Sequence, residues 1–258
     1  MKIASWNLNS LRVRLPQVLD WLAQEQPDLL ALQEIKLTDD KFPNADIQAL
    51  GYHAIYAGQK TYNGVAILSR TEGAAVITDL PGLDDPQRRV LGATFGVLRV
   101  LNLYVPNGQE VGSDKYRYKL DWLDKLAALI EEEVKRYPNV VVLGDFNIAP
   151  DDRDVHNPEA WEGKILCSGP ERQALQRLLS LELNDTFRLF DQAEKTFSWW
   201  DYRLHAFRRN MGLRIDLILA SQALTATCSS SRVDKIPRGW ERPSDHAPVV
   251  AEFDFRNQ

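Results

Sequence analysis

Cysteine is almost absent. Only Cys167 and Cys228 occur in 258 residues, too few and too far apart for a disulfide scaffold or a cysteine-built zinc site. That usage fits a reducing compartment. No apolar run approaches the roughly 20 residues of a membrane-spanning helix, and Met1 leads straight into a strand-like stretch without the basic and apolar regions of a secretion signal. A cytoplasmic protein with no membrane partner is therefore expected. The chain also lacks a Gly/Ser-rich or Pro-rich linker and any short-period repeat, so one domain over residues 1–258 is expected. Nor does one charge dominate. With 31 Lys and Arg against 36 Asp and Glu, the net charge of −5 argues against coating nucleic acid by bulk charge, but leaves room for a local basic face.

What the chain does have is a set of apolar runs that end in polar residues. Val140-Val141-Val142-Leu143 reads as a strand covered on both faces, and it runs into Gly144-Asp145-Phe146-Asn147, where a period of two puts Asp145 and Asn147 on one side. Taken alone, this is more simply a strand-end turn in which Asp and Asn bond their own backbone. The arrangement recurs, however. Lys2 to Asn9 closes with Asn7 and Asn9, Leu29 to Leu32 ends in Gln33-Glu34, Leu213 to Leu219 carries Asp216, and Ser244-Asp245-His246 leads into Val249 to Phe253. Polar groups beside buried strands are costly unless paired, so convergence on a shared pocket is the economical reading.

Between these runs, apolar spacing predicts helices from Leu15, over Tyr116 to Arg136, and from Pro170. Asn63-Gly64 marks a tight turn. The echo between the strand ending near residue 7 and the one ending near residue 145 points to two stacked sheets with helices outside. Thr186 to Arg209 interleaves seven aromatic residues with Arg188, Arg203, Arg208 and Arg209. That pattern suits contacts to phosphates and unstacked bases, and equally a peripheral aromatic core with arginines lying over it.

Glu34, Asp145, Asp216 and Asp245 supply four carboxylates, Asn7, Asn9 and Asn147 the amides, and His246 the one histidine beside an acid at a strand end. Gathered acids repel unless a cation joins them, and oxygen ligands without thiolate favour Mg²⁺ or Mn²⁺ over zinc. Such a site suits a phosphodiester. Asp145 would position or deprotonate water, Asn147 would orient it, and His246, its ring fixed by Asp216, would bear charge on a phosphate oxygen.

At these residues the sequence resembles the exonuclease III group of abasic-site endonucleases, within the endonuclease/exonuclease/phosphatase superfamily. The resemblance spans nearly the whole chain. It is carried by Trp6-Asn7-Leu8-Asn9-Ser10, Leu32-Gln33-Glu34-Ile35-Lys36, Asn63-Gly64-Val65-Ala66, Gln87-Arg88-Arg89, Asn102 to Gly108, Gly144-Asp145-Phe146-Asn147, Phe197-Ser198-Trp199, Leu213 to Asp216 and Ser244 to Pro248.

The resemblance implies a four-layered α/β sandwich, deoxyribonuclease I-like, with two mostly antiparallel sheets flanked by helices. It further implies a magnesium- or manganese-dependent enzyme acting on double-stranded DNA at abasic sites and damaged 3′ ends. By motif, Glu34 is the principal metal ligand, with Asn7, Asp245, Asp145 and Asn147 around the ion. Tyr104, Asp145, Asn147, Asp216 and His246 form the catalytic set. Asn107, Trp199, Arg203 and Arg214 are the expected DNA contacts, and a monomer is expected. One loop departs from the pattern: a bulky Leu166 in Gly163 to Ser168 would narrow the sugar pocket and favour 3′-end processing over internal incision. The competing readings are a superfamily phosphatase for a phospholipid or inositol phosphate, which would keep the same acids and histidine, and a non-catalytic nucleic-acid-binding regulator on the same scaffold. Every candidate position holds a competent residue, which argues against the latter.

Overall fold

Strand β8 (Val140–Asp145) shows how the layers arise. Val140 and Val142 pack into one apolar core while Val141 and Leu143 pack into another, because successive side chains of a strand point to opposite faces. A continuous β-branched run thus serves two cores at once. The structure, a computed structural model, describes residues 1–254. Among these, the other strands are β1 (Lys2–Asn7), β2 (Leu29–Gln33), β3 (His53–Ala57), β4 (Val65–Ser69), β5 (Ala74–Ile77), β6 (Val90–Phe95), β7 (Leu98–Tyr104), β9 (Leu183–Asp185), β10 (Asp216–Ser221), β11 (Cys228–Val233) and β12 (Val249–Phe253). The helices are α1 (Leu11–Glu25), α2 (Asn44–Ala49), α3 (Asp114–Arg136), α4 (Pro158–Trp161), α5 (Gly169–Leu179) and α6 (Gln222–Thr225).

The strands form two six-stranded sheets, β11-β12-β1-β2-β4-β3 and β5-β6-β7-β8-β10-β9. Each contains one parallel pair, β1 with β2 and β7 with β8, and is otherwise antiparallel. Ile3, Leu29, Ala31, Val65 and Ile67 meet Val100, Val141, Leu143 and Ile218 between the sheets. Trp6, Leu30 and Leu32 face Val18, Trp21 and Leu22 of α1 on the outside. Leu101, Leu103 and Val142 face Trp122, Leu126 and Ile130 of α3 and Leu175 and Leu178 of α5. The result is a four-layered α/β sandwich, as the sequence led us to expect.

Two sequence readings need correction. The echo that matched the strands ending at residues 7 and 145 is real in kind but misaligned: the sheet orders superpose β12-β1-β2-β4 on β6-β7-β8-β10, so β1 corresponds to β7 and β8 to β2. Helix α1 starts at Leu11 rather than Leu15, carrying Pro16 inside it. Buried Leu11 holds the extra turn against the core, and Asn9 and Ser10, both at positive φ, turn the chain sharply into it.

Candidate active site

The polar ends of six strands meet at one edge between the sheets. Because β1, β2, β7 and β8 run in parallel pairs, their carboxyl ends share that edge, and antiparallel β10 and β12 bring their amino ends to it. The alternation that buries Ile3, Leu29, Val100 and Leu143 between the sheets carries Asn7, Gln33, Tyr104 and Asp145 to the same interior face. Gly144 permits the turn into the site. Its φ is +141°, and a Cβ there would lie 1.9 Å from the Leu103 carbonyl oxygen.

Asn7 ties the two sheets together chemically. Its Nδ2 donates to Glu34 Oε1 and to Asp145 Oδ2, both at 2.9 Å, joining one acid from each sheet. Asp145 also accepts from the Asn147 backbone N–H at 2.9 Å and the Asn147 side-chain amide at 3.2 Å, and Asn107 in turn donates to Asn147 Oδ1 at 3.0 Å. Across the β8–β10 pairing, Asp216 lies directly opposite Asp145. His246 sits between these acids, with Nδ1 2.9 Å from Asp216 Oδ2 and Nε2 3.8 Å from Asp145 Oδ2. Ser198 holds Asp216 by donating to its Oδ2 at 2.6 Å, while accepting from the backbone N–H groups of Ile215 and Asp216.

The electrostatics follow from this burial. Loss of water would push His246 down, but the Asp216 and Asp145 carboxylates outweigh it and raise the imidazole to about 10. Burial pushes the Asp145 carboxyl up, His246 opposes, and Asp216 adds to the rise, leaving it at about 7. Tyr104 is held well above its usual value, first by burial and then by the Glu34 and Asp145 charges, so its hydroxyl keeps its proton. Arg89 lies over the Tyr104 ring, 4.7 Å from its centre.

Glu34, Asp145 and His246 each offer one donor atom, all within 4.8 Å of one another. The two carboxylates supply hard oxygen donors that fit a divalent cation, whereas the imidazole, kept charged by Asp216 and Asp145, has no lone pair to offer it. Of the other expected ligands, Asn7 and Asn147 lie beside these acids. Asp245 lies one link away, its oxygens taken by Trp199 Nε1 at 3.0 Å and Asn9 Nδ2 at 3.1 Å.

The expected DNA contacts divide. Asn107 is exposed beside Asn147, and Trp199 is half-buried on Asp245. Arg203 is 84% exposed and forms a two-pronged pair with Asp201. Arg214 does not reach a surface at all. It is 1% exposed, paired to Asp154 and Asp185, and its guanidinium lies 4.7 Å from the centre of the Phe187 ring, so these partners hold it in the interior. Within 186–209, Phe187, Phe197 and Trp200 are buried, so the core reading holds for part of that segment and the surface reading for Tyr202, Arg203, Arg208 and Arg209.

Three contributors escaped the sequence reading of roles. Lys36 pairs with Glu34 Oε2 at 2.9 Å and donates to Asn9 Oδ1 at 2.6 Å, and its spacing of two from Glu34 was the available signal. Ser198 carried none. Lys119 is fully buried on the apolar face of α3, in step with Tyr116, Leu123 and Leu126, and a lysine in that stripe was itself the signal.

Carboxylates, amides and a charged imidazole gathered at the end of a two-sheet sandwich define the class of hydrolases that act on phosphoesters. The chain belongs to the endonuclease/exonuclease/phosphatase family, whose sequence model matches residues 4–246, and within it to the exodeoxyribonuclease III branch. It is 38% identical to exodeoxyribonuclease III of Haemophilus influenzae over 98% of this chain and 100% of that one. A 3′ phosphatase from Neisseria, solved with a product DNA hairpin, is 51% identical, with a TM-score of 0.97 over 99% of this chain and 100% of that one. An AP endonuclease from Archaeoglobus fulgidus is 39% identical, with a TM-score of 0.95 over 99% and 100% of the two chains.

Proposed function

We propose that this protein is a DNA repair nuclease that hydrolyses phosphodiesters at abasic sites and removes nucleotides and blocking groups from the 3′ ends of double-stranded DNA, as a monomer and with Mg²⁺ or Mn²⁺. One observation carries the reading: Asn7 joins Glu34 and Asp145 from opposite sheets, while the Asp216–His246 pair faces the same carboxylate. A divalent ion at Glu34, when bound, supplies neutralising charge to phosphate oxygens. The chain's own groups do the rest. Asp145, poised near neutrality by burial, positions and deprotonates water, and Asn147 orients it. His246, held as imidazolium by Asp216, would bear charge on a nonbridging phosphate oxygen. Tyr104 keeps its proton to donate toward the phosphate or the leaving oxygen. Asn107, Trp199 and Arg203 line the path of the DNA strand.

We place 3′-end processing ahead of internal incision. Leu166 is buried in the apolar cluster that Trp199 packs against, where its bulk would narrow the space for an internal abasic sugar. Two duplexes test both statements, one with an internal abasic analogue and one with a 3′-phosphate, each assayed with Mg²⁺ and with EDTA. We expect hydrolysis only with the metal, faster at the 3′-phosphate, and loss of at least about 100-fold in Asp145→Asn. Full turnover in that variant, or in EDTA, overturns the nuclease mechanism. Equal or faster internal incision removes the role given to Leu166.

A further inference from the structure

A second buried polar cluster lies behind the catalytic amides. Lys119 and Glu171 form an ion pair with both side chains fully buried, linking α3 to the first turn of α5. Every proton of the ammonium is spent. Besides Glu171, Lys119 Nζ donates to the backbone carbonyls of Asn147 at 2.7 Å and Asn107 at 3.2 Å. Glu171 is equally saturated: Oε1 accepts from the Leu166 N–H at 3.1 Å, and Oε2 accepts from the Ser168 N–H at 3.0 Å and the Ser168 hydroxyl at 2.7 Å. The pair therefore grips three loops of the site at once, those carrying Asn107, Asn147 and Leu166.

Two of the gripped residues are in conformations that L side chains resist, Asn147 at φ +50° and Leu166 at φ +71°. Each needs its surroundings to hold it there. Packing around the pair is also close. A Cβ at Gly108 would lie 2.9 Å from Ile165 and 3.1 Å from the Lys119 stem, so the Asn107 loop rests directly on both. A buried ion pair contributes little net stability, since desolvation offsets most of the attraction. What it does supply is direction, because each hydrogen bond fixes one backbone carbonyl or amide.

We propose that the Lys119–Glu171 pair is a positioning device that clamps the Asn107, Asn147 and Leu166 loops into one geometry, so that the catalytic amides and the sugar-pocket wall are set together. The assignment rests on the nuclease reading for its kinetic consequence but not for its structural one. Neither residue touches substrate, and both act through the loops they hold. A misplacement of about 1 Å at Asn147 suffices to slow chemistry about 100-fold without weakening binding.

The test compares wild type with Lys119→Arg, Glu171→Gln and the double variant Lys119→Met/Glu171→Gln, which removes both charges and leaves neither unpaired. Steady-state kinetics on the abasic and 3′-phosphate duplexes are read beside hydrogen exchange in segments 145–149, 164–168 and 98–104. In the double variant we expect kcat to fall about 10- to 100-fold with KM within about threefold, and exchange to accelerate in 145–149 and 164–168 but not in β7. Lys119→Arg, which keeps the donors, should recover at least about a third of kcat. Should the double variant not fold, Glu171→Gln carries the same readouts. A folded variant with wild-type kcat and unchanged exchange overturns the proposal, as does a fall in kcat without the local rise in exchange, or a rise that spreads to β7. If wild type cleaves neither duplex, the nuclease reading fails instead, and the exchange pattern alone decides for or against the clamp.

Discussion

A histidine flanked by two buried carboxylates answers to pH in a definite direction. His246 is raised to about 10 in the fold, so it adds stability that is full below its unfolded value near 6.5 and is lost as pH climbs through 10. Asp145 has the same sign in a lower window: its folded value of about 7 means that ionising it above its unfolded value, near 3.9, costs stability. The metal-free protein should therefore lose stability steadily from about pH 4 to pH 10, and urea midpoints across that range will show it. Asp216→Asn removes the largest support for the imidazolium, so the upper part of the decline, from about 6.5 to 10, should flatten. The same variant should lower kcat by about 10²- to 10⁴-fold with the metal present, because the ring loses both its charge and its orientation. A decline as steep as in wild type would show that another group dominates that window.

Among the elements, β8 is where sequence and structure agree most closely, and the reason is physical. A strand buried on both faces has no freedom to be anything but apolar, so Val140 to Leu143 announced it. Gly144 ends the run because β7 leaves no room for a side chain there. Gly144→Ala would drive a Cβ into the Leu103 carbonyl at a φ that alanine resists, and should destabilise by at least about 2 kcal/mol. Urea unfolding checks this, and a loss under about 0.5 kcal/mol would mean that the β7–β8 pair shifts freely. Where contacts are long-range, the sequence fell silent. Asn7, Glu34, Asp145, Asp216 and His246 could be picked out as polar strand ends, but Ser198 owes its place to a bridge between Trp199 and Leu213 that no local pattern encodes. Arg214 was misjudged because an arginine two residues from a catalytic acid looks like a phosphate contact, whereas Asp154 and Asp185, 60 and 29 positions earlier in the chain, capture it. Glu171 was legible in principle, since Ser168 and Glu171 form a capping box at the start of α5. Its second duty toward Lys119 was not.

At the scale of the whole molecule, the net charge of −5 sets a problem for a protein that must hold a polyanion. The structure offers a local answer around the cleft. Lys36 sits on Glu34, Arg14 donates to the Asn9 carbonyl at 2.7 Å and reaches the Tyr202 hydroxyl at 3.1 Å, and Arg89 lies over Tyr104. Beyond them, Arg203, Arg208 and Arg209 are exposed on the segment that follows Trp199. Cations gathered at one rim release condensed counterions when phosphates replace them, and that release is counted by salt. If about four of these groups meet phosphates, the affinity for duplex DNA should fall with a log–log slope near −4 in salt, despite the repulsion between net charges. Replacing Arg203 and Arg209 together by glutamine should make that slope shallower by about two if both meet phosphates. Anisotropy titrations from about 50 to 200 mM salt, in EDTA to prevent turnover, measure both slopes. A flat response would mean that the rim does not track the backbone and that affinity comes from the sugar pocket alone, in which case opening the apolar wall at Leu166 would weaken binding more than removing any of the arginines.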